Sequence, residues 1–145
     1  MTHTGAVTGE VGGYIRFTNR GTAPCRLSGW PKVIAVNAAG KPTTVRRALH
    51  GTMIGAWQYV PPLPVLRLRP GASAYAVVAA GDNPVYGSSP CPSYRLLRIT
   101  PPRNSQQVTL SAWLPNDVTY LPACTGFNGS REIEVSAVVR LSDLH

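Results

Sequence analysis

Side chains along most of this chain change character at every second residue, and that period leaves few folds open. In GYIRFTN, Ile15 and Phe17 fall on one face while Tyr14, Arg16 and Thr18 fall on the other. In VLRLR, Leu66 and Leu68 alternate with Arg67 and Arg69. Val108, Leu110, Ala112 and Leu114 share a face of QVTLSAWL; Ile133, Val135, Ala137 and Val139 share a face of REIEVSAVV, with Glu132, Glu134 and Ser136 opposite. A strand sends successive side chains to opposite sides of its sheet, so this pattern predicts half-buried strands with one face on a core and one in water. Further strands are expected at Val33–Asn37, Thr43–Arg47, Ser73–Ala80 and Tyr94–Thr100. Turn chemistry separates them: NAAGK reads as a short hairpin loop, RPGAS places Pro70 and Gly71 at the centre of a type II turn, and GDNP and TPPRNS read as loops. No segment carries a helical period. The pattern predicts an all-β fold, an antiparallel sandwich of about eight strands.

At 145 residues the chain fits one domain with one core. The expected organisation is a flexible N-terminal segment over residues 1–12 and a single β-sandwich domain over 13–145. No apolar run approaches the ~20 residues of a membrane span. The formal charge is +8, from 14 Lys+Arg against 6 Asp+Glu, and 12 of the 14 bases are arginine. A field of that sign favours anionic partners such as nucleic acid, anionic lipid or an acidic cell-surface polymer. The bases are scattered singly along the strands, with only Arg46 and Arg47 adjacent, so solubility explains them equally well and no specific nucleic-acid motif emerges. The opening residues lack the basic and apolar regions of a signal peptide, so the expectation is an intracellular protein or a mature, trimmed form of an exported one. Three cysteines permit at most one internal disulfide: Cys25–Cys91, Cys25–Cys124 or Cys91–Cys124.

Two stretches interrupt the alternation. In CRLSGWP, from Cys25 to Pro31, the chain leaves one strand and must turn into the next. Gly29 admits a backbone angle that other residues resist, Pro31 holds Trp30 extended, and Trp30 can cap the core edge with its indole N–H on a carbonyl. Cys25, Gly29, Trp30 and Pro31 therefore read as a structural corner. The segment His50–Pro64 has weak alternation, three prolines and two large aromatics. Long connections in compact domains are often functional, so Trp57, Gln58 and Tyr59 are a candidate binding loop, unless they fold over one end of the core as a lid.

Catalytic chemistry finds little footing. Cys25 as a nucleophile needs a base, and of the three histidines only His50 lies away from the termini. The cysteines lack C-x-x-C spacing and no H-x-x-x-H is present, so no metal is expected. YGSSPC is no nucleophile elbow, TGEVGGY precedes a strand rather than a helix, and Glu132 and Glu134 read as a solvated strand face. NGS at Asn128–Ser130 reads as a turn as well as a glycosylation sequon. The expectation is a protein that is not an enzyme and holds no cofactor.

An ordered set of motifs carries a resemblance. A strand ending in Thr18-Asn19 is followed by Cys25-x-Leu27-x-Gly29-Trp30-Pro31, an apolar strand and a glycine-containing hairpin. Then come Leu68-x-Pro70-Gly71-x-x-Ala74, Cys91 before a strand that contains Leu97 and ends in Pro101-Pro102, and Cys124 ahead of the last strand. This set, which covers most of the chain, resembles an actinobacterial family known as domain of unknown function 4232. The resemblance implies a secreted or lipid-anchored domain, an immunoglobulin-like sandwich, and no established activity. The chain departs from the family pattern in lacking a signal segment and a further cysteine on the first strand, and in carrying Trp30 where tyrosine is more usual. If the missing cysteine normally bonds the one matched by Cys25, the resemblance implies that Cys25 is free here and that Cys91 pairs with Cys124. The reading is an extracytoplasmic binding module for a protein or anionic envelope partner, with outward Arg16, Arg67, Arg69 and Arg98 as candidate contacts. The alternatives are non-specific nucleic-acid binding, which rests on charge alone, and a carrier of an apolar ligand between the sheets.

Overall fold

The computed structural model describes residues 4–7, 10–49, 62–81, 91–112, 120–124 and 133–144. In chain order its strands are β1 (Thr4–Val7), β2 (Glu10–Thr18), β3 (Cys25–Leu27), β4 (Lys32–Asn37), β5 (Pro42–Thr44), β6 (Arg46–Arg47), β7 (Leu66–Leu68), β8 (Ser73–Gly81), β9 (Ser93–Thr100), β10 (Val108–Ser111), β11 (Leu121–Pro122) and β12 (Glu134–Val135), followed by one 3-10 turn at Leu141–Asp143. They form a β-sandwich. One sheet has the order β1-β2-β8-β12-β6; the other has the order β10-β9-β4-β5, with β11 also on β9; β3 and β7 make a separate two-stranded ribbon. All pairings are antiparallel except β12 with β6. Among the described residues no helix is long and apolar enough to cross a membrane.

The alternation explains the core. Val11 and Ile15 of β2 and Ala76, Val78 and Ala80 of β8 face Val33 and Ala35 of β4 and Leu97 and Ile99 of β9 across the layers. Removing side chains of this size from water contributes roughly 1.5–3 kcal/mol for each large one. Beneath the β3–β7 ribbon the core continues through Leu66, Leu68, Ala74 and Val138, with Phe17 and Leu27 packed against them. The Pro70-Gly71 turn forms as expected: Gly71 has φ 80° and the Ala72 N–H reaches the Arg69 carbonyl at 2.9 Å.

The structure departs from the sequence expectation at four places. Paired backbone begins at Thr4, since β1 runs against Glu10–Gly13, where a flexible segment through residue 12 was expected. The single strand expected at Thr43–Arg47 divides between the layers. Thr43 and Thr44 pair with β4, Val45 turns into the core with its N–H on the Val33 carbonyl, and Arg46 and Arg47 pair with β12 in the other sheet. Divisions of this kind raise the strand count above the expected eight or so. On β8 the alternation fails, because Val77 and Ala79 on its outer side are themselves covered by Tyr14 and Leu144.

The fourth departure is Ser136, expected in water and found fully buried. Between the pairs Val135↔Val78 and Val139↔Tyr75, β12 and its extension advance four residues while β8 advances three. One residue is therefore extra, and the strand bulges there. The Ser136 hydroxyl accepts the Val77 N–H at 2.7 Å and donates to the Ala137 carbonyl at 2.8 Å. It thus supplies the acceptor that a regular ladder would have placed opposite Val77. Ser136→Ala leaves that buried N–H unsatisfied and is expected to lower stability by about 1–3 kcal/mol in urea unfolding; an unchanged midpoint would mean that the backbone closes the gap without the hydroxyl.

Candidate functional site

The corner at Cys25–Pro31 is built from local geometry. Gly29 sits at φ 96°, outside the range of ordinary L-residues, and its carbonyl accepts the Val138 N–H at 2.9 Å. Pro31 is buried. The Trp30 indole N–H donates to the Ala48 carbonyl at 3.0 Å, and the Arg47 guanidinium lies 5.8 Å from the centre of the Trp30 ring. That distance is within cation–π range. This end of the molecule is committed to holding β3, β6 and the chain around Val138 together. Cys25 is exposed and free, while Cys91 is bonded to Cys124.

The candidate contact arginines do not share one surface. Arg16, which follows inward Ile15 on β2, is exposed on the outer face of the first sheet opposite Tyr75. Arg98, which lies between inward Leu97 and Ile99, is exposed on the outer face of the second sheet beside Ile34 and Thr109. Arg67 lies on β7 in the β3–β7 ribbon, and Arg69 follows the last residue of β7. Leu66 and Leu68 turn into the core, so Arg67 and Arg69 turn out. The register of the ribbon is Cys25↔Leu68, Arg26↔Arg67 and Leu27↔Leu66, which sets Arg26 directly opposite Arg67 on the outer face. The structure thus brings together Arg26, Arg67 and Arg69, and leaves Arg16 and Arg98 on two other faces.

Arg26 is absent from the sequence-derived set. It lies inside CRLSGWP, where a strand of three residues is too short to show a period of its own. The available signal was the matching apolar–Arg–apolar pattern of Cys25–Leu27 and Leu66–Leu68, which would align the two arginines if the segments paired. Asn19 anchors the ribbon from one side: its side-chain amide donates to the Leu68 carbonyl at 3.0 Å and the Ala23 carbonyl at 2.9 Å, and its backbone exchanges hydrogen bonds with Gly71 and Ala72. The arginines are therefore presented on backbone that is tied down at the Leu68 end of the ribbon.

Among the described residues the ion pair between a base and a carboxylate is Arg46 with Glu134, at 2.8 Å, where β6 runs beside β12. Glu134 is thus part of a surface pair rather than only a solvated face, and an exposed pair of this kind contributes about 0–1 kcal/mol. Arg26, Arg67 and Arg69 make no such pair among the described residues. Nor do three His, Cys, Asp or Glu side chains gather there as a metal site would require. The candidate binding loop residues Trp57, Gln58 and Tyr59, together with His50, Glu132 and Asn128–Ser130, lie outside the described residues. Guanidinium groups are permanently charged donors without acceptor or nucleophilic capacity, so what the three arginines offer chemically is oxyanion binding.

A family model described as Domain of unknown function (DUF4232) matches residues 1–138 of this chain. No curated protein and no solved structure matches it.

Proposed function

Because the chain belongs to this family of unknown function, we propose that it is a non-catalytic, immunoglobulin-like binding module that works outside the cytoplasm and contacts an anionic polymer of the cell envelope. The observation that carries this reading is the arginine-faced ribbon: three exposed guanidinium groups on anchored backbone, with no carboxylate paired to them among the described residues. Guanidinium groups are suited to hold an anion and not to transfer a proton or attack a carbon. The Cys91–Cys124 disulfide supports an oxidising compartment, since such bonds persist chiefly outside the reducing cytosol.

The test is the salt dependence of binding to a purified anionic wall polymer. Each neutralised charge releases counterions, so an electrostatic contact of several arginines is expected to lose on the order of tenfold or more in affinity between low and physiological salt. An affinity that stays flat across that range removes the anionic partner from the proposal.

A further inference from the structure

We infer that Arg26 and Arg67, with Arg69 beside them, are a site for the phosphate groups of a linear phosphodiester polymer; the inference rests on the binding reading above and names its ligand chemistry. The two arginines are directly opposed in register on an isolated two-stranded ribbon. Directly opposite residues have Cβ atoms about 5 Å apart, and like charges at that spacing repel. The arrangement costs stability unless an anion sits between the two groups. The described part of the protein supplies none: among the described residues neither Arg26 nor Arg67 pairs with a carboxylate, and the Arg46–Glu134 pair lies on the first sheet. A local rule broken with no compensating contact is what a binding site looks like before its ligand arrives.

Phosphate suits the spacing better than carboxylate. A carboxylate offers about four acceptor positions, all in one plane. A tetrahedral phosphodiester points its two free oxygens in different directions, so one phosphate can accept from Arg26 on one side and Arg67 on the other. Arg69 follows the last residue of β7, two residues and about 7 Å beyond Arg67, and can meet the next phosphate of a chain. The opposed outward pair of the ribbon, Arg26 and Arg67, has no aromatic ring beside it on β3 or β7 on which a base could stack, so the polymer favoured is one whose affinity comes from its backbone and not from nucleobases.

The experiment compares the variant R26Q/R67Q with R16Q/R98Q, which removes the same two charges from other faces. Binding is measured by calorimetric titration with poly(glycerol phosphate), poly-L-glutamate, oligothymidylate and inorganic phosphate. R26Q/R67Q is expected to weaken poly(glycerol phosphate) binding by on the order of tenfold or more, because two charge-assisted hydrogen bonds are lost. R16Q/R98Q should change it by less than about threefold, through the general field alone. R26Q/R67Q should also melt at the same temperature as the parent or higher, since a repulsive pair is relieved; a lower melting temperature would make the arginines structural and overturn the site. Equal losses in the two variants would replace the site with a diffuse field and leave the proposed function standing. Failure of the parent protein to bind any anionic polymer would instead remove the proposed function itself. Poly-L-glutamate binding as tightly as poly(glycerol phosphate) would overturn the phosphate assignment, oligothymidylate binding more tightly would make the ligand a nucleic acid, and inorganic phosphate matching the polymer would overturn the role of the chain.

Discussion

Replacing Cys91 and Cys124 with serine is expected to remove about 3–4 kcal/mol of folding stability, a substantial fraction of the roughly 5–15 kcal/mol that a folded domain commands. The two residues are separated by 33 positions, and opening a loop of that length releases the corresponding entropy to the unfolded chain. The bond also does something local. The segment from Leu121 to Cys124 begins as a two-residue strand on β9 and ends with the Cys124 N–H on the Gly81 carbonyl, at the end of β8. It therefore passes from one layer to the other, held by backbone pairing, by Leu121 and Ala123 buried in the core, and by the sulfur bridge to Cys91, just ahead of β9. Denaturant unfolding of the double serine variant in a Cys25→Ser background, which prevents thiol exchange, measures the effect. Under non-reducing, unfolding conditions the parent protein should show one reactive thiol, mapping to Cys25. A loss below about 1 kcal/mol would mean that the crossing segment holds without the bond.

Substituting alanine for Gly12 is expected to cost about 3 kcal/mol, the upper end of the range for overpacking. Gly12 lies on β2 opposite Ala79 of β8, in the unbroken ladder from Glu10↔Gly81 to Thr18↔Ser73. A Cβ at this position would run into the carbonyl oxygen of Val78 and stand 2.9 Å from the Ala79 Cα. Both obstacles are backbone, so neither can swing aside as a side chain would; the two central strands of the sheet must separate locally. Alanine stiffens the unfolded chain, which returns only about 0.4–1 kcal/mol. Equilibrium unfolding of Gly12→Ala decides the matter, and a neutral or stabilising substitution would contradict the close approach of β2 to β8.

How much of this was legible beforehand differs by element. Strands such as β2, β8 and β9 announce themselves because each is eight or nine residues long and bounded by turn residues, and their boundaries fall within a few residues of the expected ones. The corner at Gly29 was legible because a glycine, a tryptophan and a proline in that order leave few conformations open. Of the arginine site, Arg67 was visible from its apolar neighbours, whereas Arg26 was not, since β3 is three residues long and nothing in it says which strand it will meet. Ser136 was misplaced for a related reason. Its polarity and parity both point to water, and the one-residue slip against β8 instead buries it with its hydroxyl on the Val77 N–H.

By itself the sequence determined that this protein is layered sheet, where most strands and turns fall, and which side chains face oil. Those are local properties: the backbone alternates on its own, and a turn needs only the residues that make it. The tertiary structure decided that the chain changes layer at Val45, that Gly12 meets the backbone of β8, and that Arg26 confronts Arg67. Each of these depends on which distant segment becomes the neighbour and in what register, and that choice is made by the packing of the whole core rather than by any stretch of chain within it.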